Sequence, residues 1–122
     1  MASEMSPLTM YIVVRKDLLR TLQWPLGAVA AQCCHASTAA VHRFYSDPQM
    51  QEYLKDLDHM HKVVLEVKNE GQLERVAQQL DERRLKFVLW REQPENVCTA
   101  LCTSAYRREE VGDVFKKCQL MR

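Results

Sequence analysis

The chain has 122 residues, with 17 Lys and Arg against 16 Asp and Glu, a formal net charge of +1. Apolar residues make up 47% and charged residues 27%, as in an ordinary globular domain with its own core. So even a balance excludes a globally basic nucleic-acid binder and leaves only local patches for such a partner.

The opening "MASEMSPLT" is too short and polar for a secretory leader. Residues 1–8 read as a flexible N-terminus and 9–122 as one domain. "TMYIVV", Thr9 to Val14, is β-rich and apolar and reads as a buried strand. "RKDL" follows, then a loop punctuated by Pro25 and Gly27. A helix is expected from Gly27 to about Tyr45, apolar on most sides and therefore central. Ser46-Asp47-Pro48 ends it, and a short polar helix runs to about Leu57.

"HKVVLEV", His61 to Val67, is the second strand. Asn69 then caps a helix, with Gln72 in capping-box spacing. Leu73, Val76, Ala77 and Leu80 form its apolar face. "KFVLW", Lys86 to Trp90, is the third strand, "REQPEN" a polar turn, and "VCTALCT", Val97 to Thr103, the fourth strand. A last helix is expected from Arg108 to Cys118, with Glu109 and Glu110 in its first turn and Lys116 and Lys117 in its last.

The order βα(α)βαββα predicts an α/β single domain: a small mixed four-stranded sheet covered by helices on both faces. Its first two crossovers imply parallel strands and its short third connection a hairpin. Ligands gather at the carboxyl ends of parallel strands in such folds. Those ends carry Arg15-Lys16-Asp17, the segment after Val67, and Arg91-Glu92.

The richest stretch chemically is "LGAVAAQCCHASTAA", Leu26 to Ala40. On a helix Ala28, Gln32 and His35 share one stripe. Cys33 and Cys34 point roughly 100° and 200° away from Gln32, so both thiols and His35 cannot converge on one metal. Adjacency likewise turns Cys34 away from His35 as a nucleophile–base pair. No metal and no cofactor is expected. On helix pattern alone, His35 reads as a buried, hydrogen-bonded histidine before it reads as a catalytic one. The five cysteines, an odd count, point to free thiols in a reducing, cytoplasmic setting. No apolar run approaches the ~18 residues of a membrane span. Trp24 and Trp90 read as packing residues.

"VVRKDL" followed by "GAVAAQCCHA" resembles the peptidyl-tRNA hydrolases of the archaeal and eukaryotic type. Arg15, Asp17, Leu18, Gly27, Ala30, Ala31, Gln32, His35 and Ala36 match that pattern. With the element order, the resemblance spans about Thr9 to Cys118. "WPLGA", "LWREQPEN" and "REEVG" resemble the domain-containing branch of the family. The resemblance implies hydrolysis of the ester joining a peptidyl or N-acyl-aminoacyl group to tRNA, a task of translation quality control. It needs a polarised water, a general base, oxyanion stabilisation and cations for phosphates. A homodimer is a further expectation, since the family often dimerises.

The sequence departs from the family at its catalytic lysine, replaced by Ala28, and at the aspartate after the third strand, where Glu92 is the nearest carboxylate. One reading is a rewired hydrolase. Glu92 activates water, His35 or Gln32 orients it beside Asp17, and Arg15 or Lys16 restores the positive charge. Asn96 then falls about where the family's threonine stands, and Thr99 or Thr103 keeps a hydroxyl in the last strand, with Asn96 and Thr99 as the substrate-binding groups. The other reading is a non-catalytic tRNA-binding or protein-interaction module on the same fold.

Overall fold

The computed structural model describes residues 5–122. The first half of the expected N-terminal segment 1–8 lies outside them. Its last residue, Leu8, is buried.

Strand β1 (Thr9–Arg15) is buried along its whole length. It is followed by a single helical turn, α1 (Asp17–Arg20). The central helix α2 spans Leu26–Arg43. Pro25 stands as its N-cap residue and offers a carbonyl to Ala28 and Val29 N–H. Helix α3 (Pro48–Lys55) starts on a proline, whose fixed φ suits a first turn, and a 3₁₀ turn (Leu57–His59) leads into β2 (His61–Val67). Helix α4 covers Glu70–Glu82. The Asn69 Oδ1 accepts from Gln72 N–H at 3.0 Å, and Gln72 Oε1 accepts from Lys68 N–H at 2.7 Å. The cap is therefore reciprocal, displaced by one residue from the usual box.

Strands β3 (Phe87–Glu92) and β4 (Val97–Tyr106) form an antiparallel hairpin. Each is longer than the expected segment. The connecting turn is closed by Asn96 in the left-handed region, φ +59°, which asparagine tolerates better than most residues.

The sheet has five strands in the order β3-β4-β1-β2-β5, not the four expected. The fifth, β5 (Gln119–Leu120), pairs antiparallel with Leu65 and Glu66 of β2. The last expected helix is also corrected. Only Arg108–Val111 is helical, as α5. Gly112 ends it with φ +56°, and the chain continues in turns bonded Val114 to Val111, Lys116 to Asp113 and Cys118 to Phe115. Three-residue turns bring Val111, Val114 and Phe115 to the same side much as a helix would, so the apolar spacing did not separate the two. Val111 and Val114 are buried, and Phe115 stacks on Tyr11 at 5.1 Å.

Helices cover both faces, as expected. On one side Met10, Ile12 and Val14 of β1 meet Val29, Ala36 and Ala40 of α2 and Met50 and Tyr53 of α3. On the other, Val13 and Leu65 meet Leu73, Val76, Ala77 and Leu80 of α4. The alternation along β1 follows from the two-residue period of a strand. Strands β1 and β2 are parallel and β4 is antiparallel to β1, which makes β3 run with β1 and β2.

Candidate active site

The carboxyl ends of β1, β2 and β3 and the start of β4 lie along one rim of the sheet. Lys16 N–H donates to Val67 O at 2.9 Å, tying the ends of β1 and β2 together. Around this rim the expected residues form three groups.

The first lies on the α4 side. Arg15 is 6% exposed, and its side chain follows Val13 onto the face covered by α4. Its guanidinium clasps Asp17 in a fork, Nε to Oδ1 at 3.0 Å and Nη2 to Oδ2 at 2.9 Å. Nη1 donates to Cys98 O at 3.0 Å and lies 4.0 Å from Glu70 Oε1. The Asp17 carboxylate raises the guanidinium pKa further above its ordinary value, against the opposing effect of burial. Glu70 Oε2 accepts from Cys98 N–H at 3.1 Å. Both backbone groups of Cys98 are thus held by side chains from β1 and α4. Glu70 went unnoticed in the sequence, although an acidic residue one position past an N-cap signals a helix start.

The second group joins α2 to β4. Gln32 is 3% exposed and Thr99 is fully buried. Thr99 Oγ1 donates to Gln32 Oε1 at 2.8 Å, and Gln32 Nε2 donates to Ala28 O at 3.2 Å. The register explains why Thr99 faces α2. Trp90 pairs with Ala100 but Arg91 pairs with Cys98, so Thr99 is the extra residue of a β-bulge. Bulges re-aim side chains and are frequent beside active sites.

The third group lies on the outer edge of the α2 face. His35 stacks on Trp90, with ring centroids 4.9 Å apart and planes inclined by 29°. Trp90 Nε1 donates to Glu92 Oε1 at 3.0 Å. His35 is exposed, while Trp90 and Glu92 are half-buried. Trp90, expected only as packing, is the residue that connects the other two. Its indole N–H needs an acceptor when partly buried, and the two-residue strand period puts Glu92 on the same face.

The remaining expected residues lie apart from these groups. Lys16 pairs with the buried Glu66, Nζ to Oε2 at 3.3 Å. Asn96 is an exposed turn residue whose Oδ1 accepts from Gln93 Nε2 at 3.3 Å and whose carbonyl accepts from Arg91 Nη1 at 3.0 Å. β3 and β1 are separated by β4, about 10 Å across two strand spacings. Glu92 bonds Trp90, and Arg15 bonds Asp17 and Cys98, with no direct hydrogen bond between the two groups. Ala28 is half-buried in the first turn of α2.

All five cysteines are free. Burial pushes the Cys33 thiol up to about 11 and the Cys102 thiol up to about 12. Cys34 is exposed.

The chain matches a known class of protein. The family model of peptidyl-tRNA hydrolase PTH2 matches residues 8–121, and the chain belongs to that family. It is 42% identical to the human protein named "Putative peptidyl-tRNA hydrolase PTRHD1" over 121 residues, covering 98% of this chain and 86% of the relative. The mouse protein of the same name is 42% identical over 116 residues, covering 94% and 83%. Among the described residues, no helix is long and apolar enough to cross a membrane.

Proposed function

We propose that the protein is a peptidyl-tRNA hydrolase that cleaves the ester between an N-blocked aminoacyl or peptidyl group and the terminal ribose of tRNA. Family membership supports the reaction class. The observation that carries the assignment of roles is the Trp90 link, a single indole that hydrogen-bonds Glu92 and stacks on His35.

In this reading Glu92 is the general base. Trp90 engages Oε1, leaving Oε2 to take a proton from water. The water oxygen bonds to the ester carbonyl carbon and a tetrahedral oxyanion forms. The bond from that carbon to the ribose oxygen then breaks. The proton passes from Glu92 to the departing ribose oxygen, so a free carboxyl group and a free tRNA hydroxyl result. His35, exposed on the neighbouring helix, orients the water or donates to the oxyanion. Preorganised donors of this kind contribute most when charge develops on the carbonyl oxygen.

Gln32 and Thr99 are positioning residues here, because their polar groups are engaged with each other and with Ala28. They fix α2, and with it His35, against the β4 bulge. Asp17 acts through Arg15, which aligns Cys98 and so the strand that carries Thr99. Lys16 is the more accessible cation for a phosphate, Arg15 being buried. Asn96 stands beside Glu92 in the hairpin turn as a substrate contact. No metal or cofactor takes part in these steps. The setting is cytoplasmic and a homodimer is compatible with it; light scattering reads the latter.

Single-turnover hydrolysis of N-acetyl-aminoacyl-tRNA tests the reading. Wild type is expected to release the acyl group, and Glu92→Gln and His35→Ala to slow it. An unchanged rate in both variants removes these roles. A wild type that binds tRNA with strong salt dependence and releases nothing makes the protein a binding module.

A further inference from the structure

Beside Glu92 the surface of α2 and the edge strand β3 enclose an open groove. It is lined by Cys34, His35, Thr38, Ala39, His42 and Trp90 and holds about 370 Å³. That lies within the ~300–1,000 Å³ typical of small-ligand sites. Trp90 and Ala39 at its base also pack against the core, while His35, Thr38 and His42 at its rim are exposed.

Its chemistry is specific. There is no carboxylate and no lysine or arginine in the lining, so it suits neither a phosphate nor a free amino group. Its floor is the half-exposed Trp90 indole, on which the His35 imidazole stacks at 4.9 Å, inclined by 29°. A flat heteroaromatic ring thus stacks on this indole in the observed geometry, and a ligand ring would take the place of the imidazole. Two imidazoles, seven residues apart on one stripe of α2, supply ring nitrogens at the rim. A neutral, flat, hydrogen-bonding ring is what such a surface recognises, and among parts of the proposed substrate that is a nucleobase.

Position selects which base. Trp90, the floor, is hydrogen-bonded to Glu92. The ester that Glu92 attacks sits on the ribose of the last nucleotide, and the base of that same nucleotide hangs from the same ribose. We infer that the Trp90 groove is the binding site for the terminal base of the tRNA acceptor end, stacked on the indole where the His35 ring now lies, with His42 facing its polar edge. The inference rests on the hydrolase reading and extends it to how the scissile ester is placed.

The test compares two small esters carrying the same N-acetyl-aminoacyl group, one on the 3′ oxygen of adenosine and one on an abasic ribose. Wild type is expected to favour the adenosine ester in kcat/KM. Trp90→Leu should reduce that preference about 10-fold, the order of one lost base–aromatic stack. Trp90→Phe, which stacks but lacks the indole N–H, should keep most of it. Any weakening of Glu92 lowers both esters alike and cancels in the ratio. A preference unchanged in Trp90→Leu, or absent in wild type, overturns the inference. If neither ester is cleaved, calorimetry with the trinucleotide CCA and its 3′-abasic counterpart decides separately from hydrolysis. Tighter binding of CCA that Trp90→Leu abolishes supports the base site. Equal binding, or none, overturns it.

Discussion

Thr99 Oγ1 donates to Gln32 Oε1 across 2.8 Å in a fully buried contact between β4 and α2. It exists because one extra residue in β4 turns Thr99 toward the helix. Removing the hydroxyl while keeping the shape, in Thr99→Val, leaves an amide oxygen buried without a donor. The expected cost is about 1–3 kcal/mol, read as a lower urea midpoint with unchanged slope. Because His35 is carried on the same helix, the variant should also lose hydrolysis beyond what its folded fraction explains.

Glu92→Gln keeps the size of the side chain and its carbonyl acceptor for Trp90, but lacks a proton-accepting carboxylate. General-base removal costs about 10²–10⁴ in rate, so single-turnover hydrolysis should fall within that span while tRNA binding changes little. A rate within a few-fold of wild type would assign water activation elsewhere.

Asp17→Ala leaves the Arg15 guanidinium, 6% exposed, with only Cys98 O and the distant Glu70. Losing one partner of a buried pair costs about 3 kcal/mol or more. Denaturant unfolding should show that loss, and Arg15→Met in the same background should recover part of it by removing the stranded charge.

Ala28→Lys places an ammonium in the first turn of α2, at the position where the sequence resemblance leads one to expect a lysine. The helix dipole opposes it by about 0.3–1 kcal/mol, small beside the roughly 10²-fold that a well-placed charge contributes in a site. A rise of at least about 10-fold in hydrolysis is expected. No rise at all would show that the rewired rim no longer uses that position.

Alkali should destabilise the fold through its buried acids. Cys102 and Cys33 have ordinary values of 9.0 and are pushed to about 12 and about 11, chiefly by desolvation. Tyr53 is moved from 10.0 to about 12 by the same cause. Above pH 9 the unfolded chain releases these thiol protons and the folded chain keeps them, so the folded state binds more protons and stability falls as pH rises. Their contribution is complete below about 9 and is lost progressively up to about 12. Unfolding midpoints measured from pH 7 to 11 should decline, and less steeply in Cys102→Ala. At pH 8, thiol labelling should begin at exposed Cys34 and reach Cys102 only on unfolding.

Much of this architecture was legible from local pattern. The strand His61–Val67 and the Asn69 cap are set by neighbouring residues and were read with correct bounds. The apolar face of α4 likewise follows from a helical period within one segment. The C-terminal segment misled because Val111, Val114 and Phe115 serve a helix or successive turns equally well. Only the positive φ of Gly112, with Asp113 paired to Arg83, separates the two.

The candidate site divides in the same way. Local pattern placed Arg15, Asp17 and Glu92 at the sheet's carboxyl rim, because strand ends and helix starts follow from hydrophobic period and caps. It also determined that Gln32 and His35 share a stripe of α2. Their partners come from tertiary packing: the bulge that turns Thr99 onto Gln32, the fork between Arg15 and Asp17, and the indole that joins His35 to Glu92. Those contacts depend on the register between strands and the seating of a helix on the sheet, which a one-residue shift would undo.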